Sequence, residues 1–334
     1  MNPIIGITMG DAAGIGPEVV AKALTHKELY DICRPIVVGD AGVMKNAVSF
    51  VKSNMNVRAV DDPAKGKYEF GTIDVLDLHN IDISKLEIGK VQAQAGKASL
   101  EYIETGVKLT KENKLNALCT ASINKEAIRK AGAQFPGHTE LLANLTGTKE
   151  VTMLLVAGNV RVFHVTIHVP LSKVPSLITP ESVLETVRLA HNSLKGLGIA
   201  DPKIAVAGLN PHASDGGLFG TEEREKIAPA VEAANKEGMK AFGPIPPDTV
   251  FLRANKGEFD GVVAMYHDQG HIPVKLLGFD TGVNVTIGLP IIRTSVDHGT
   301  AFDIAGKGIA DERSMVEAIK LAAKMAQVKM GSKA

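Results

Sequence analysis

IIGITMGDAAGIGPEVVAKAL, residues 4–24, is the stretch from which the fold is read. A short apolar run, Ile4–Thr8, reads as a strand. It passes through a glycine-rich turn into a helix candidate, Pro17–Leu24. Pro17 suits a first helical turn, where its missing N–H is not needed. The same alternation continues along the chain. Strands are expected at Pro35–Val38, Ala117–Cys119, Val151–Val156, Val162–Val169, Ile204–Gly208, Val262–Tyr266 and Val283–Ile287. Helices are expected at Ala93–Lys111, Lys125–Ala131, Pro180–Gly196, Glu222–Lys236 and Ser314–Lys329. Strand–helix alternation over the whole length predicts an α/β fold with a largely parallel sheet. Ile204–Gly208 and Val262–Tyr266 are almost wholly apolar, as strands covered on both faces are. Residues 57–71, rich in Asp, Pro, Lys and Gly, read as a surface loop, and the last five residues as a fraying end. Two lobes are plausible at this length, although no shift in composition marks a boundary.

The chain has 334 residues, of which 45% are hydrophobic and 22% charged, enough for a buried core and ordinary for a globular protein. Lys+Arg and Asp+Glu are both 37, a balance that argues against nucleic acid or an anionic membrane as partner. Tryptophan is absent and aromatics make up 4%, which disfavours stacking platforms for single strands. Cys33 and Cys119 fall in no CxxC or zinc-ribbon spacing and suit a reducing compartment. With no signal-like start and no run of membrane-spanning length, a cytoplasmic location is expected.

In open α/β sheets ligands bind beyond the carboxyl ends of the strands. Three separate strand ends here deliver His168, His212 and His267. Neutral imidazoles bind zinc and related divalent ions, and three protein ligands leave a position for substrate. The bland alternative is that each of the ten histidines is structural, a reading that His26, His79 and His191 keep. His164 shares strand parity with His168 but lies deeper in its run, and His271 and His298 are read as loop residues that could be confused with ligands. Gly10, Gly14 and Gly16 sit where a strand meets a helix. Such a turn either offers amides and a positive helix end to an anion or is a tight turn with no ligand. It is neither GxGxxG nor GxxxxGK[ST]. Lys275 and Arg293 are the basic residues with the best context, since Arg grips carboxylate or phosphate in bidentate fashion and Lys acts as a point charge or proton donor. Thr139, in FPGHTELL, either caps a short helix or touches a ligand.

Six segments carry a resemblance: ITMGDAAGIGPE (7–18), CTASINKEAI (119–128), FPGHTE (135–140), GLNPHASDGG (208–217), MYHDQG (265–270) and GLPIIRTSVDHGTAFDIAGKG (288–308). Through them the chain resembles the 4-hydroxythreonine-4-phosphate dehydrogenase family over nearly its whole length. GDAAGIGPE and HGTAFDIAGKG also resemble isopropylmalate and isocitrate dehydrogenases. The resemblance implies one catalytic unit over residues 1–334, of two α/β/α lobes with a cleft between them. It implies NAD or NADP and a divalent cation (Zn, Mg, Mn or Co) held by His168, His212 and His267. His168 would be contributed across the interface of a homodimer. His138, Thr139, Lys275, Asn284 and Arg293 match substrate-binding positions. His298, Gly299, Thr300 and Asp303 match the loop at the adenosine end of the cofactor, with Gly14 and Gly16 near its nicotinamide end. Lys275 is the candidate proton donor or acceptor. Asp268 would orient a metal ligand or relay a proton, or merely cap its loop.

The implied reaction is oxidation of a four-carbon 4-phosphorylated hydroxy acid followed by loss of CO₂. FHVTIHVPL and HDQGHIPVKLLGFD are closer to a second branch of the family, associated with D-threonate and D-erythronate 4-phosphates, whose product would be dihydroxyacetone phosphate. With 4-hydroxythreonine 4-phosphate, an intermediate of pyridoxine biosynthesis, it would be 3-amino-2-oxopropyl phosphate. The alternatives are a cis-dihydrodiol dicarboxylate dehydrogenase and a non-catalytic binding protein for phosphorylated acids.

Overall fold

A computed structural model describes residues 1–148 and 151–331. Twelve strands are seen among them: β1 Ile4–Thr8, β2 Arg34–Gly39, β3 Asn56–Val60, β4 Thr72–Asp77, β5 Ala117–Thr120, β6 Thr152–Ala157, β7 Val160–His164, β8 Lys203–Ala207, β9 Lys240–Ile245, β10 Gly261–Ala264, β11 Val283–Ile287 and β12 Arg293–Val296. The chain divides into two compact units. Unit 1 is Met1–Val151 with Leu289–Ala334, and unit 2 is Thr152–Gly288.

The strands of unit 1 lie in the order β3-β4-β2-β1-β5-β12, and each neighbouring pair is parallel. The helix Ala93–Lys111 shows why these segments dock. Its buried residues Ala95, Ser99, Tyr102, Gly106 and Thr110 recur at steps of three and four, which is one stripe of a helix. Tyr102 is fully buried and its hydroxyl donates to Asn80 Oδ1 at 2.9 Å. Burying such a ring contributes about 2–3 kcal/mol. The helix Arg313–Gly331 presents Met315, Ile319, Ala322 and Ala326 in the same way, and Thr294 on β12 donates to the Ala318 carbonyl.

Unit 2 has the order β11-β6-β7-β10-β8-β9, with β6 antiparallel to both neighbours and the other pairs parallel. Its core joins Val162, Ala205, Val262 and Ala264 from the sheet to Val250, Phe251 and Val274 from helices. The expected largely parallel α/β architecture is therefore present in each unit.

Several elements match their expected bounds, among them Ile4–Thr8, Val283–Ile287, Ala93–Lys111 and Pro180–Gly196. Others need correction. Residues 57–71 are not all loop, because Asn56–Val60 is a strand. It pairs only with β4, and an edge strand tolerates the polar, exposed composition that hid it. The run Val162–Val169 does not continue as a strand past His164. Its neighbour β10 ends at Ala264, so the ladder has no partner there. HDQGH is not a loop but opens the helix His267–Gly278, despite Gly270 and the internal Pro273. His271 is therefore helical, and Lys275 stands two turns beyond His267. The expected helix Glu222–Lys236 opens as a π-helical turn, Glu223–Ile227. Of the five terminal residues expected to fray, Met330 and Gly331 belong to the last helix, and residues 332–334 lie outside the described residues.

Candidate active site and metal centre

The candidate ligands all belong to unit 2, on three segments tied together by buried polar side chains. The segment after β7 is held to the end of β10. Val165 N–H donates to the Ala264 carbonyl at 2.9 Å, and Thr166 Oγ1 donates to that of Met265 at 2.8 Å. This brings His168 beside His267, with ring centroids 5.6 Å apart. Gln269, in the first turn of helix His267–Gly278, makes the second tie. Its Oε1 accepts from Met265 N at 2.6 Å and its Nε2 donates to the Gly208 carbonyl at 2.8 Å. Glu223 makes the third. Its buried Oε1 accepts from the backbone of Leu209 at 2.8 Å and Asn210 at 2.7 Å, at the base of the loop carrying His212. Neither Gln269 nor Glu223 stands out in the sequence, because the role of each depends on strand ends distant along the chain.

His212 lies in a left-handed run. His212, Ala213, Ser214 and Asp215 have φ of 54°, 52°, 67° and 44°. For residues with a Cβ this costs about 1 kcal/mol or more each and persists only where the surroundings enforce it. His212 is exposed, with Nδ1 4.0 Å from Asp248 Oδ2. The three expected ligands are thus only partly assembled: His168 and His267 adjoin, while His212 stands beside Asp248.

Other histidines crowd His267. Its ring stacks on that of His271 at 3.6 Å, with planes 10° apart. His164 lies 4.7 Å from His271, is buried, and has no hydrogen-bond partner on either ring nitrogen among the described residues. Burial and then the neighbouring imidazoles push His164 down to about 3, so it is neutral. His267 Nδ1 lies 2.7 Å from Asp268 Oδ1. A carboxylate can only accept, so Nδ1 carries the proton and Nε2 carries the lone pair. This is the tautomer a metal-binding imidazole needs, and the donor set fits a divalent cation. It also gives Asp268 an orienting contact.

Among the described residues, the acid and histidine group whose donor atoms all lie within 4.8 Å is a different one, Asp40, Asp77 and His79. Its carboxylates have turn and cap duties. Asp40 Oδ1 accepts from the amides of Gly42 and Val43, and Asp77 Oδ1 from those of Ala41 and His79.

The other expected residues in unit 2 are Lys275, whose Nζ lies 5.4 Å from the centre of the Phe279 ring, and Asn284 on β11. Unit 1 holds Arg293, His138 and Thr139. Arg293 opens β12 and is buried, and its Nε and Nη2 donate to Thr120 Oγ1 at 3.1 and 2.6 Å. Desolvation lowers it to about 10, so it stays cationic at neutral pH. His138 starts the helix His138–Thr146. Burial, and then the Arg293 charge, hold it well below its ordinary value. Gly137 occupies the N-cap position, so Thr139 does not cap that helix and its side chain is exposed.

The turn 9–16 is entirely buried. Gly14 N–H donates to the Asp11 carbonyl and Ile15 N–H to that of Thr300, both at 3.0 Å. A Cβ on Gly14 would lie 2.9 Å from Thr300 O, so the glycine permits a close approach of the 298–303 segment. Two of the turn's amides are therefore spent internally, which favours the tight-turn reading over an open anion cradle. Gly16 follows as the first residue of the helix Gly16–Ala23. Asp11 is fully buried and is raised by desolvation to about 6, partly offset by the Ala13 amide. In the second segment His298 Nδ1 lies 3.0 Å from the Gly299 carbonyl, Gly299 and Asp303 are exposed, and Glu18 accepts from the amides of Gly306 and Gly308.

Comparison with known proteins shows which family the chain resembles. The D-threonate 4-phosphate dehydrogenase of Cupriavidus necator is 54% identical over 325 residues, 97% of each chain. The crystal structure of a 4-hydroxythreonine-4-phosphate dehydrogenase from Burkholderia phymatum matches with a TM-score of 0.87 at 51% identity, over 97% of this chain and 98% of that one. A terephthalate 1,2-cis-dihydrodiol dehydrogenase from Burkholderia xenovorans matches with a TM-score of 0.68 at 30% identity, over 96% and 98%. The model of the pyridoxal phosphate biosynthetic protein PdxA family matches residues 31–322, and with that match beside near-full-length relatives the chain belongs to this family.

Proposed function

We propose that the chain is an NAD(P)-linked, divalent-cation-dependent dehydrogenase of a four-carbon 4-phosphorylated hydroxy acid, with D-threonate or D-erythronate 4-phosphate ahead of 4-hydroxythreonine 4-phosphate, and that the oxidised product loses CO₂. The observation that carries this reading is His267, with Nδ1 engaged by Asp268 and His168 beside it, on a turn linked by Gln269 to the base of the His212 loop. The 54% identity to a D-threonate 4-phosphate dehydrogenase supports the order of substrates.

His168, His212 and His267 would hold the cation. When bound, the cation supplies Lewis acidity to substrate oxygens and the nicotinamide accepts hydride. The chain's own groups do the rest. Arg293, fixed by Thr120, presents a cation to an anionic end of the substrate. His138, kept neutral, and Thr139 offer hydrogen bonds to phosphate without adding charge. Lys275 and Asn284 would also bind substrate, and Lys275 would give or take the proton. The segment His298–Asp303 would face the cofactor, with Gly14 packed behind Thr300 and Gly16 opening the next helix as its support. Ile272, Leu276, Leu277 and Phe279 expose apolar surface on helix His267–Gly278, with Leu171 exposed after β7. Such a patch fits a second copy, which supports a homodimer sharing His168. No helix among the described residues is long and apolar enough to cross a membrane. Two free, buried cysteines, both pushed up to about 12 chiefly by burial, suit the cytoplasm.

The test is a side-by-side assay of the three 4-phosphates and of non-phosphorylated cis-diols, with NAD⁺ or NADP⁺ and several divalent cations. Turnover of D-threonate or D-erythronate 4-phosphate with release of CO₂ is expected. Turnover of the diols alone would overturn the reading, and so would full activity and cation binding in His212→Ala.

A further inference from the structure

We infer that His271 is a positioning residue that fixes the ring of His267 in its cation-binding orientation. The inference rests on the reading of His267 as a cation ligand and concerns what holds that ligand still. His271 lies one helical turn beyond His267, on the same face. Its ring lies flat against that of His267, with centroids 3.6 Å apart and planes 10° apart. Its Nδ1 is 3.0 Å from the His267 carbonyl, which can only accept, so that nitrogen carries a proton and ties the ring back to the ligand's own backbone.

A third ring supports the pair from below. His164 lies 4.7 Å from His271, and its Nε2 sits 2.3 Å from where a Cβ on residue 270 would be. Glycine at 270 lets the helix settle onto this ring. A buried imidazole with neither nitrogen hydrogen-bonded costs about 1–3 kcal/mol, a penalty an aliphatic side chain would avoid. The His164 ring packs against that of His271 at a tilt of 43° and backs the stack. His267 also meets His168, with ring centroids 5.6 Å apart. The His267 ring also bonds through Nδ1 to Asp268, whose side chain is 71% exposed. That 2.7 Å hydrogen bond fixes which ring nitrogen carries the proton, but it holds the ring at one edge only. The stack on His271 covers a face of the His267 ring and adds the restraint on its rotation that the edge contact lacks.

The experiment measures cobalt(II) and zinc(II) affinity by competition with a chelator, and the visible absorption of the cobalt form, for His271→Ala, His271→Phe and His271→Leu. Far-UV circular dichroism checks that each variant is folded. His271→Ala and His271→Leu should weaken cation binding by about 10- to 100-fold, as loss of a group that orients a ligand does. His271→Phe, which keeps a flat ring, should recover most of that affinity with a parental cobalt spectrum. Parental affinity in His271→Ala would overturn the inference. An equal loss in the Phe variant, with a spectrum showing one nitrogen fewer, would also overturn it and make His271 a ligand. Failure of the ligand reading is separate: the parent would bind no cobalt, or His267→Ala would bind it as the parent does.

Discussion

Replacing Gln269 by Leu tests how the candidate site is assembled. Leucine nearly matches glutamine in size and helix propensity, so the change is confined to two polar contacts. The parent side chain accepts from Met265 N–H at 2.6 Å and donates to the Gly208 carbonyl at 2.8 Å, and all three residues are buried. In the variant both backbone groups stay buried and lose their partner. Each stranded group costs about 1–3 kcal/mol, which puts the total near ~4 kcal/mol. Against a typical stability of about 5–15 kcal/mol this is a large loss. Urea unfolding followed by circular dichroism should show a lower midpoint, and hydrogen exchange should locate the loss at the amides of β8 and β10. Cobalt affinity should fall as well, because Gln269 links the first turn of the His267 helix to the strand end that leads to His212. A stability within ~0.5 kcal/mol of the parent, the range of a neutral surface change, would refute the reasoning.

Gly270→Ala places a Cβ 2.3 Å from His164 Nε2 and 2.6 Å from Val162 Cγ1, and should destabilise by about 1–3 kcal/mol. Adding His164→Ala should restore only part of that, because Val162 remains; a strictly additive double mutant would rule out the contact. Asp11 binds its proton more tightly folded than unfolded, with a pKa of about 6 against an ordinary 3.8, so its burial weakens the fold progressively as pH rises through that interval. Asp11→Asn should therefore be nearly neutral at pH 4 and stabilising by about 3 kcal/mol at pH 7.5, read from urea midpoints at the two pH values. An equal effect at both would contradict the assignment. Leu276→Glu combined with Phe279→Glu puts charges where side-chain exposure is now 85% and 72%, and should convert a dimer to a monomer in light scattering while leaving the circular dichroism spectrum unchanged.

The elements legible in the sequence were those whose pattern is set locally. Ile4–Thr8 is a short apolar run ending in a glycine turn, and Ala93–Lys111 keeps one buried stripe for five turns. The helix His267–Gly278 was not legible. Gly270, Pro273 and two histidines argue against a helix, and the contacts that override them come from His164, Met265 and Gly208, none of them near in sequence. Arg293 was singled out by context, but its strand was not, because RTSV is polar and its burial depends on β5 and on the last helix. The site followed the same division. His168 and His267 adjoin as strand-end placement suggests. The left-handed course of the His212 loop, the Glu223 anchor beneath it and the stacking of His271 arise from tertiary contacts that spacing cannot show.

Unit 1 is built from both ends of the polypeptide, with unit 2 a single uninterrupted stretch between them. This has a consequence for biosynthesis. A chain leaving the ribosome N-terminus first can complete unit 2 as soon as residue 288 has emerged. Unit 1 must wait. β5 acquires its neighbour β12 only with residues 293–296, Glu18 receives the amides of Gly306 and Gly308 later still, and Lys22 then reaches the Ala310 carbonyl at 2.7 Å. Until then the first-made half carries an open strand edge in a region destined to be buried, the kind of surface that nascent chains pair wrongly or that chaperones shield. A stop codon just past residue 288 would leave unit 2 intact in sequence and unit 1 without its closing strand, so losses near the C-terminus should be felt most in the half that was translated first.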